Sequence, residues 1–344
     1  MRNAILQADL TIYSGRDVSA IWKVFAKRGM GYFAGTTGSA DVAPVENFSL
    51  PPNGVPTGVL KGTVTQVGTG QAVPGVTVAF GGHASGFVEN LAAKTDAYGR
   101  YTIKNVYPGT YPDVLASGAG YLPKAVTVKI VKGTNRQDYA LVRDWAASNG
   151  GATVSDTNAG EYADYGCGPL ALIDTSQGVG LSADLPAAGA PAKYVTVKLP
   201  AAVDVSTIQI DPAGSCGDDI SASTGDYRVE TSTDGTTWTP AAAGHFTPAQ
   251  IHTLAPVALT GGTSGVQYVR YTMLGTQAGR LRGRLRRRAV LRLRLRRQRG
   301  ARRPGRPRRL TAARPGRRTA DVRPVAPAAP AAGATGLTGT GVDP

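Results

Sequence analysis

The chain is 344 residues long, 42% hydrophobic, rich in glycine (45) and proline (23), and formally charged +15. That length exceeds what one core usually organises, and the glycine and proline content favours turns and short strands over helix. Residues 279–344 hold 20 arginines and two aspartates, a net +18 that leaves residues 1–278 at −3, so the high pI says nothing about nucleic acid or anionic membrane as partners of the folded part.

The opening MRNAILQADL lacks the continuous apolar core of a signal peptide, and no later stretch reaches membrane-spanning length. No export signal and no membrane span are expected within it. Residues 1–34 are the one helical stretch. Ile5, Leu6, Ala8, Leu10 and Ile12 approximate an apolar stripe, and Ile21, Trp22, Val24 and Phe25 form a second one after the Ser14-Gly15 break. Asp17 or Ser19 is placed to cap the second helix and Gly29 to end it. Two such helices cannot bury Trp22 and Phe25 alone, so they belong either to a hairpin packed on the following domain or to the end of a larger one; the second is preferred.

Residues 35–57, rich in Gly, Pro, Ser and Thr, are a predicted linker. Residues 58–142 alternate short β-rich runs with turn signals, as in Thr63-Val64-Thr65 and Thr127-Val128-Lys129-Ile130, which predicts a small antiparallel sandwich. Residues 143–278 repeat that character, with strands expected at 193–199, 206–212, 226–232, 236–242 and 266–274 and a tight hairpin at Asp234-Gly235, both residues tolerating positive φ. A jelly roll is the economical architecture. From Gly279 the composition collapses to nine residue types without Lys or aromatics, and residues 279–344 are expected to be disordered.

No complete catalytic constellation emerges. Zinc hydrolysis needs two imidazoles one helical turn apart, as in H-E-x-x-H, and none of His83, His245 and His252 is followed by Glu; all three read as surface histidines. Gly-x-Ser-x-Gly with a histidine, a Cys-His pair and a phosphate loop are equally absent. Ser215-Cys216-Gly217-Asp218-Asp219 is the densest polar cluster. The paired carboxylates Asp218 and Asp219 suit a calcium ion, although the run matches no EF-hand loop and a solvated turn is the alternative. Tyr162, Tyr165 and Trp238 are candidate sugar-stacking aromatics, with core packing the alternative for Trp238, and Asp174 joins the two tyrosines as the expected rim of a binding site. Cys167 and Cys216 are the two cysteines, compatible with a disulfide or with two buried thiols.

Three segments carry a resemblance. "AILQADL" and "IWKVFAKRGMGYFAG" in residues 2–34 resemble the last helices of the catalytic unit of actinobacterial fungalysin-type secreted zinc metallopeptidases. "GTVT", "TGQAVPGVTVAFGGH" and "TDAYGRYTIKNVYPGTY" in residues 58–142 resemble a carboxypeptidase-regulatory-like module. "YGCGPLALID", "KYVTVKLP", "DPAGSCGDD", "DYRVETSTDGTTW" and "VQYVRYTML" in residues 147–278 resemble a discoidin-like, galactose-binding-type jelly roll. The resemblance implies a mainly β chain: a helical hairpin, two antiparallel β-sandwiches (transthyretin-like, then discoidin-like) and an arginine-rich tail. It also implies extracellular localisation, a missing catalytic domain that holds the zinc, and cell-surface or polymeric carbohydrate as partner. The family's zinc ligands match no residue here, so the chain is expected to hold no cofactor beyond calcium.

The function expected is therefore that of a non-catalytic accessory region of a zinc metalloendopeptidase. The alternative, from another class, is polyanion or nucleic-acid binding by the tail; it is disfavoured because natural tails of that kind mix Lys with Arg. Every residue type in the tail is spelled by GC-rich codons, which predicts a reading-frame shift near Gly279 that removes the closing strand and leaves the preceding one with an unpaired edge.

Overall fold

The structure, a computed structural model, describes residues 1–38, 41, 43–175, 179–187, 189–212, 216, 219–278 and the backbone of 286–289. Every described element falls within one compact unit, Met1–Arg299. The expected disorder and frame shift of the tail lie outside the described residues, apart from Arg286–Ala289, which are a strand.

Helices α1 (Arg2–Tyr13) and α2 (Val18–Lys27) form the expected hairpin. Ser14, in the left-handed region at φ 55°, and Gly15 end α1, and Asp17 begins α2 without a side-chain cap. The buried face of α1 is not the predicted stripe: Arg2, Asn3, Leu6 and Asp9 are buried, whereas Ile5, Leu10 and Ile12 are exposed. The reason is the partner surface, which offers backbone carbonyls. The Arg2 guanidinium donates to the carbonyls of Met30 (3.0 Å), Gly31 (2.7 Å) and Gly82 (2.8 Å) and lies over the Trp22 ring, which satisfies a buried charge. Leu6, Trp22 and Tyr32 join the core of the first sandwich, so the hairpin packs on that domain. The predicted linker is likewise tied down: Gly31 and Tyr32 donate to the carbonyls of Asn47 and Ser49, and Gly35 pairs with Val45.

The first sandwich contains β1 (Gly58–Gln66), β2 (Thr77–Phe80), β3 (Ala92–Lys94), β4 (Arg100–Val106), β5 (Gly109–Ser117), β6 (Lys124–Ile130), β7 (Gly133–Arg136) and β8 (Tyr139–Leu141). One sheet has the order β3-β2-β5-β6 and is antiparallel throughout. The other centres on β1, which pairs antiparallel with β4 and, on its other side, parallel with β7 and then β8. The β7–β8 connection crosses β1 at Gly62, where a Cβ would stand 1.7 Å from the Gln137 carbonyl oxygen. Period-two burial puts Leu60 and Val64 of β1 against Val78, Phe80, Val114 and Ile130.

A clamp joins the two sandwiches. The Gly120 N–H donates to Asn149 Oδ1 (2.8 Å) and its carbonyl accepts from Asp144 (2.9 Å). Arg143, between the rings of Tyr121 and Trp145, donates to the Gly150 carbonyl at 2.8 Å. Gly120, at φ +72°, meets Gly150 so closely that a Cβ there would lie 2.8 Å from its Cα.

The second sandwich contains β9 (Thr153–Thr157), β10 (Leu181–Asp184), β11 (Lys193–Val203), β12 (Ile208–Ile210), β13 (Asp226–Ser232), β14 (Thr239–His245), β15 (Ala255–Val257), β16 (Val266–Met273) and β17 (Arg286–Ala289). The main sheet is antiparallel in the order β14-β13-β16-β11-β9, with β12-β15 and β10-β17 as two-stranded ribbons. Val195, Val197, Leu199, Val229, Val269 and Tyr271 face the core. Three expectations are corrected. The fourth predicted strand starts at Thr239, leaving Thr236–Trp238 in the hairpin loop. Asp234 is not at positive φ; only Gly235 is, at +81°, and Asp234 shapes the turn by accepting from the N–H groups of Thr236 and Thr237. Finally, β16 has no free edge, being flanked by β13 and β11, and β17 pairs with β10.

Candidate functional site

Tyr162 and Tyr165 lie together on the loop between β9 and β10. Between β9 and β10 the chain makes a tight turn in which the Tyr162 carbonyl accepts from the N–H groups of Tyr165 and Cys167, with Gly166 at φ +76°. Gly166 supplies the left-handed conformation that lets the loop double back. Tyr165 is 79% exposed, and its ring centroid lies 6.3 Å from that of Tyr162. The half-buried Tyr162 is oriented by donating its hydroxyl to Asp184 Oδ1 at 2.7 Å.

The loop is anchored on three sides. Cys167 and Cys216 form a disulfide, with Cα atoms 6.5 Å apart, that ties it to the segment after β12. The Ser182 N–H donates to the Cys167 carbonyl, and Lys193 pairs with Glu161 while donating to the Asn158 carbonyl. The result is an exposed Tyr165 beside a half-buried Tyr162 on a loop held by the disulfide and these hydrogen bonds, with the Asp184 carboxylate beside Tyr162. A pyranose presents C–H groups on one face and hydroxyls at its rim, and such a pair can take both.

Asp174 is exposed just after the 3-10 turn Pro169–Leu172. Asp219 caps the turn Ile220–Ala222: its carboxylate accepts from the Ser221 N–H at 2.9 Å, which holds it below the ordinary carboxylate range. Asp218 lies outside the described residues, so of the expected calcium pair the structure places one half, already engaged with its own turn.

Trp238 is neither core nor rim. It covers Arg270, whose guanidinium lies 4.0 Å from the indole centroid and 4.8 Å from that of Tyr194, on the solvent side of the main sheet. Tyr194 donates its hydroxyl to Asp156, which also pairs with Arg270 at 3.4 Å. The surface expectation fails for His83, which is fully buried; Nε2 donates to the Tyr32 carbonyl at 2.7 Å, and burial pushes its pKa down to about 4. His245 is exposed and pairs with Asp226, and His252 is exposed at φ 61°. Asp184 and Lys193, which position the tyrosines, were missed; a short strand end and a lone lysine carry no local signal. Among the described residues no three His, Cys, Asp or Glu side chains come together as metal ligands. The zinc of the fungalysin resemblance therefore finds no fitting donor set among them.

Three family models match segments of the chain. Residues 1–34 match the fungalysin metallopeptidase (M36) family model, residues 59–142 the carboxypeptidase regulatory-like domain and residues 151–284 the F5/8 type C domain. No curated protein matches the chain. Among solved structures, CBM32-3 from a family 31 glycoside hydrolase of Clostridium perfringens is similar at 21% identity over 43% of this chain and 91% of its own, with a TM-score of 0.34. The family 32 carbohydrate-binding module of Streptococcus pneumoniae EndoD gives 16% identity over 45% and 99%, with a TM-score of 0.34. The C-terminal domain of a chitobiase from Bacteroides fragilis gives 16% over 43% and 93%, with a TM-score of 0.33. At these scores the likenesses carry no argument about ligand. In chain order, the protein is similar to the fungalysin metallopeptidase (M36) family over residues 1–34, to the carboxypeptidase regulatory-like domain over 59–142 and to the F5/8 type C domain over 151–284.

Proposed function

We propose that the chain is the non-catalytic accessory region of a secreted zinc metalloendopeptidase, and that its jelly roll holds the enzyme on cell-surface or polymeric carbohydrate through Tyr162, Tyr165 and the neighbouring loop of Asp174. The observation that carries this reading is the exposed Tyr165 ring beside a Tyr162 oriented by Asp184, on a loop stapled by Cys167–Cys216. A preformed aromatic rim of this kind lowers the ordering cost of binding. The order of the three family matches supports the accessory role, since the segment resembling a catalytic unit comes first and brings none of that unit's zinc ligands.

Two measurements test it. The full chain on an array of uncharged glycans is expected to bind a defined set of sugars, with that binding lost in Tyr165→Ala; an array without signal overturns the assignment. Incubated with casein and added zinc the chain is expected to cleave nothing, and chelator-sensitive cleavage would contradict the accessory role.

A further inference from the structure

The main sheet of the jelly roll carries a second concave surface at its other end. The strand register sets the two apart: the tyrosine loop adjoins Thr157 and Lys193, whereas the second surface adjoins Thr153 and Lys198, at the opposite ends of the paired β9 and β11. There a cavity of about 560 Å³ opens between the entry to β9, the middle of β11, the β13–β14 turn and the start of β16. Its volume falls within the roughly 300–1,000 Å³ of small-ligand sites. Lys198, Tyr268, Gln267, Asp234 and Thr153 line it.

The charges on this face are unequally committed. Arg270 is paired with Asp156 and held between two rings, and Arg228 is paired with Glu230 at 3.2 Å. Lys198, directly opposite Tyr268 in the ladder, makes no hydrogen bond or ion pair among the described residues; its ammonium sits 5.8 Å from the Tyr268 ring centroid. Gly235 leaves room beside the Tyr268 ring, since a Cβ there would come within 3.2 Å of it. Gln267 donates its amide N–H to the Leu199 carbonyl, and its amide oxygen has no hydrogen bond among the described residues. The Asp234 carboxylate is held ionised by the N–H groups of Thr236 and Thr237 and the Ser232 hydroxyl, all within 2.9 Å.

One uncommitted ammonium, one fixed carboxylate, an aromatic ring and uncharged acceptors define a narrow chemistry. A single cation matches a single negative charge, and Asp234 on the same wall works against phosphate-rich or sulfate-rich polyanions while accepting from hydroxyls. The ring offers a face to C–H groups. We propose that this cavity is a second binding site, for a uronic-acid unit of an acidic polysaccharide, with Lys198 on the carboxylate and Tyr268 beneath the sugar ring. The site stands independently of the tyrosine rim.

The test is calorimetric titration of the full chain with galacturonate and glucuronate trimers and with the uncharged galactose trimer. At least one uronate trimer is expected to bind saturably and the uncharged trimer more weakly. Lys198→Met removes a charge-assisted contact and is expected to weaken uronate binding about tenfold or more. Lys198 is exposed, so the variant keeps its melting temperature, and Tyr165→Ala leaves uronate binding unchanged. Absence of saturable uronate binding, equal affinity for the uncharged trimer, or an unaltered Lys198→Met overturns the proposal. Loss of uronate binding in Tyr165→Ala would assign it to the tyrosine rim instead and overturn it too.

Discussion

Burial of His83 makes the stability of the first sandwich depend on pH with a predictable sign. The imidazole is fully buried beside Tyr32 and Tyr111 and hydrogen-bonded through Nε2, and Nδ1 has no partner among the described residues. Its pKa falls from an ordinary 6.5 to about 4, mainly through burial and further through Arg2. A depressed folded pKa means that the unfolded chain takes up the proton first, so the stabilisation is complete above pH 6.5 and is lost as pH falls toward 4. The full loss is about 3 kcal/mol, from about 1.4 kcal/mol per pH unit across that gap. Glu89, in the same pocket, has its carboxyl pushed up by burial and so acts with the opposite sign. A difference measurement separates the two. Amide exchange of β2 and β5 reads the opening free energy of this sandwich alone, at about pH 7 and about pH 4. Wild type is expected to lose about 3 kcal/mol more than His83→Phe, which fills the space with an ionisation-free ring. That variant carries a pH-independent cost of about 1–3 kcal/mol for the unpaired Tyr32 carbonyl. Equal pH slopes in the two proteins would refute the reasoning.

Gly62→Ala puts a methyl group against the Gln137 carbonyl at a position with no need of positive φ, so the effect is steric. It is expected to destabilise the first sandwich by about 1–3 kcal/mol in urea unfolding, whereas Gly160→Ala, with nothing within 4 Å, leaves it unchanged. The Cys167–Cys216 disulfide closes a loop with a sequence separation of 49. Cys167→Ser with Cys216→Ser is expected to lower jelly-roll stability by up to about 4 kcal/mol on the loop-entropy model, read as a shift of its urea midpoint; a midpoint unmoved by reducing agent in wild type would contradict the bridge.

Strands were legible in the sequence where apolar and polar residues alternate. Val195, Val197 and Leu199 alternate with Thr196 and Lys198, and the expected strand at 193–199 forms. Misreadings cluster where a distant partner overrides local pattern. Arg2 is buried in place of Ile5 because its carbonyl partners come from Met30, Gly31 and Gly82. His83, preceded by two glycines and read as a surface loop, folds under Tyr32, 51 positions away. At the candidate site Tyr165 was visible as an aromatic in a turn, but the orienting Asp184 was not. Nothing local links a carboxylate to a hydroxyl 22 residues upstream.

The Gly120–Gly150 clamp has a mechanical consequence. A flexible tether lets a binding module roam a volume that widens with the square root of its length, so its reach is tuned by adding residues. A seam closed by glycine-on-glycine contact and an arginine wedged between two rings sets a bearing instead. The jelly roll is then presented to the N-terminal helices always from the same side. An insertion between Val142 and Ala147 would rotate that presentation rather than lengthen it.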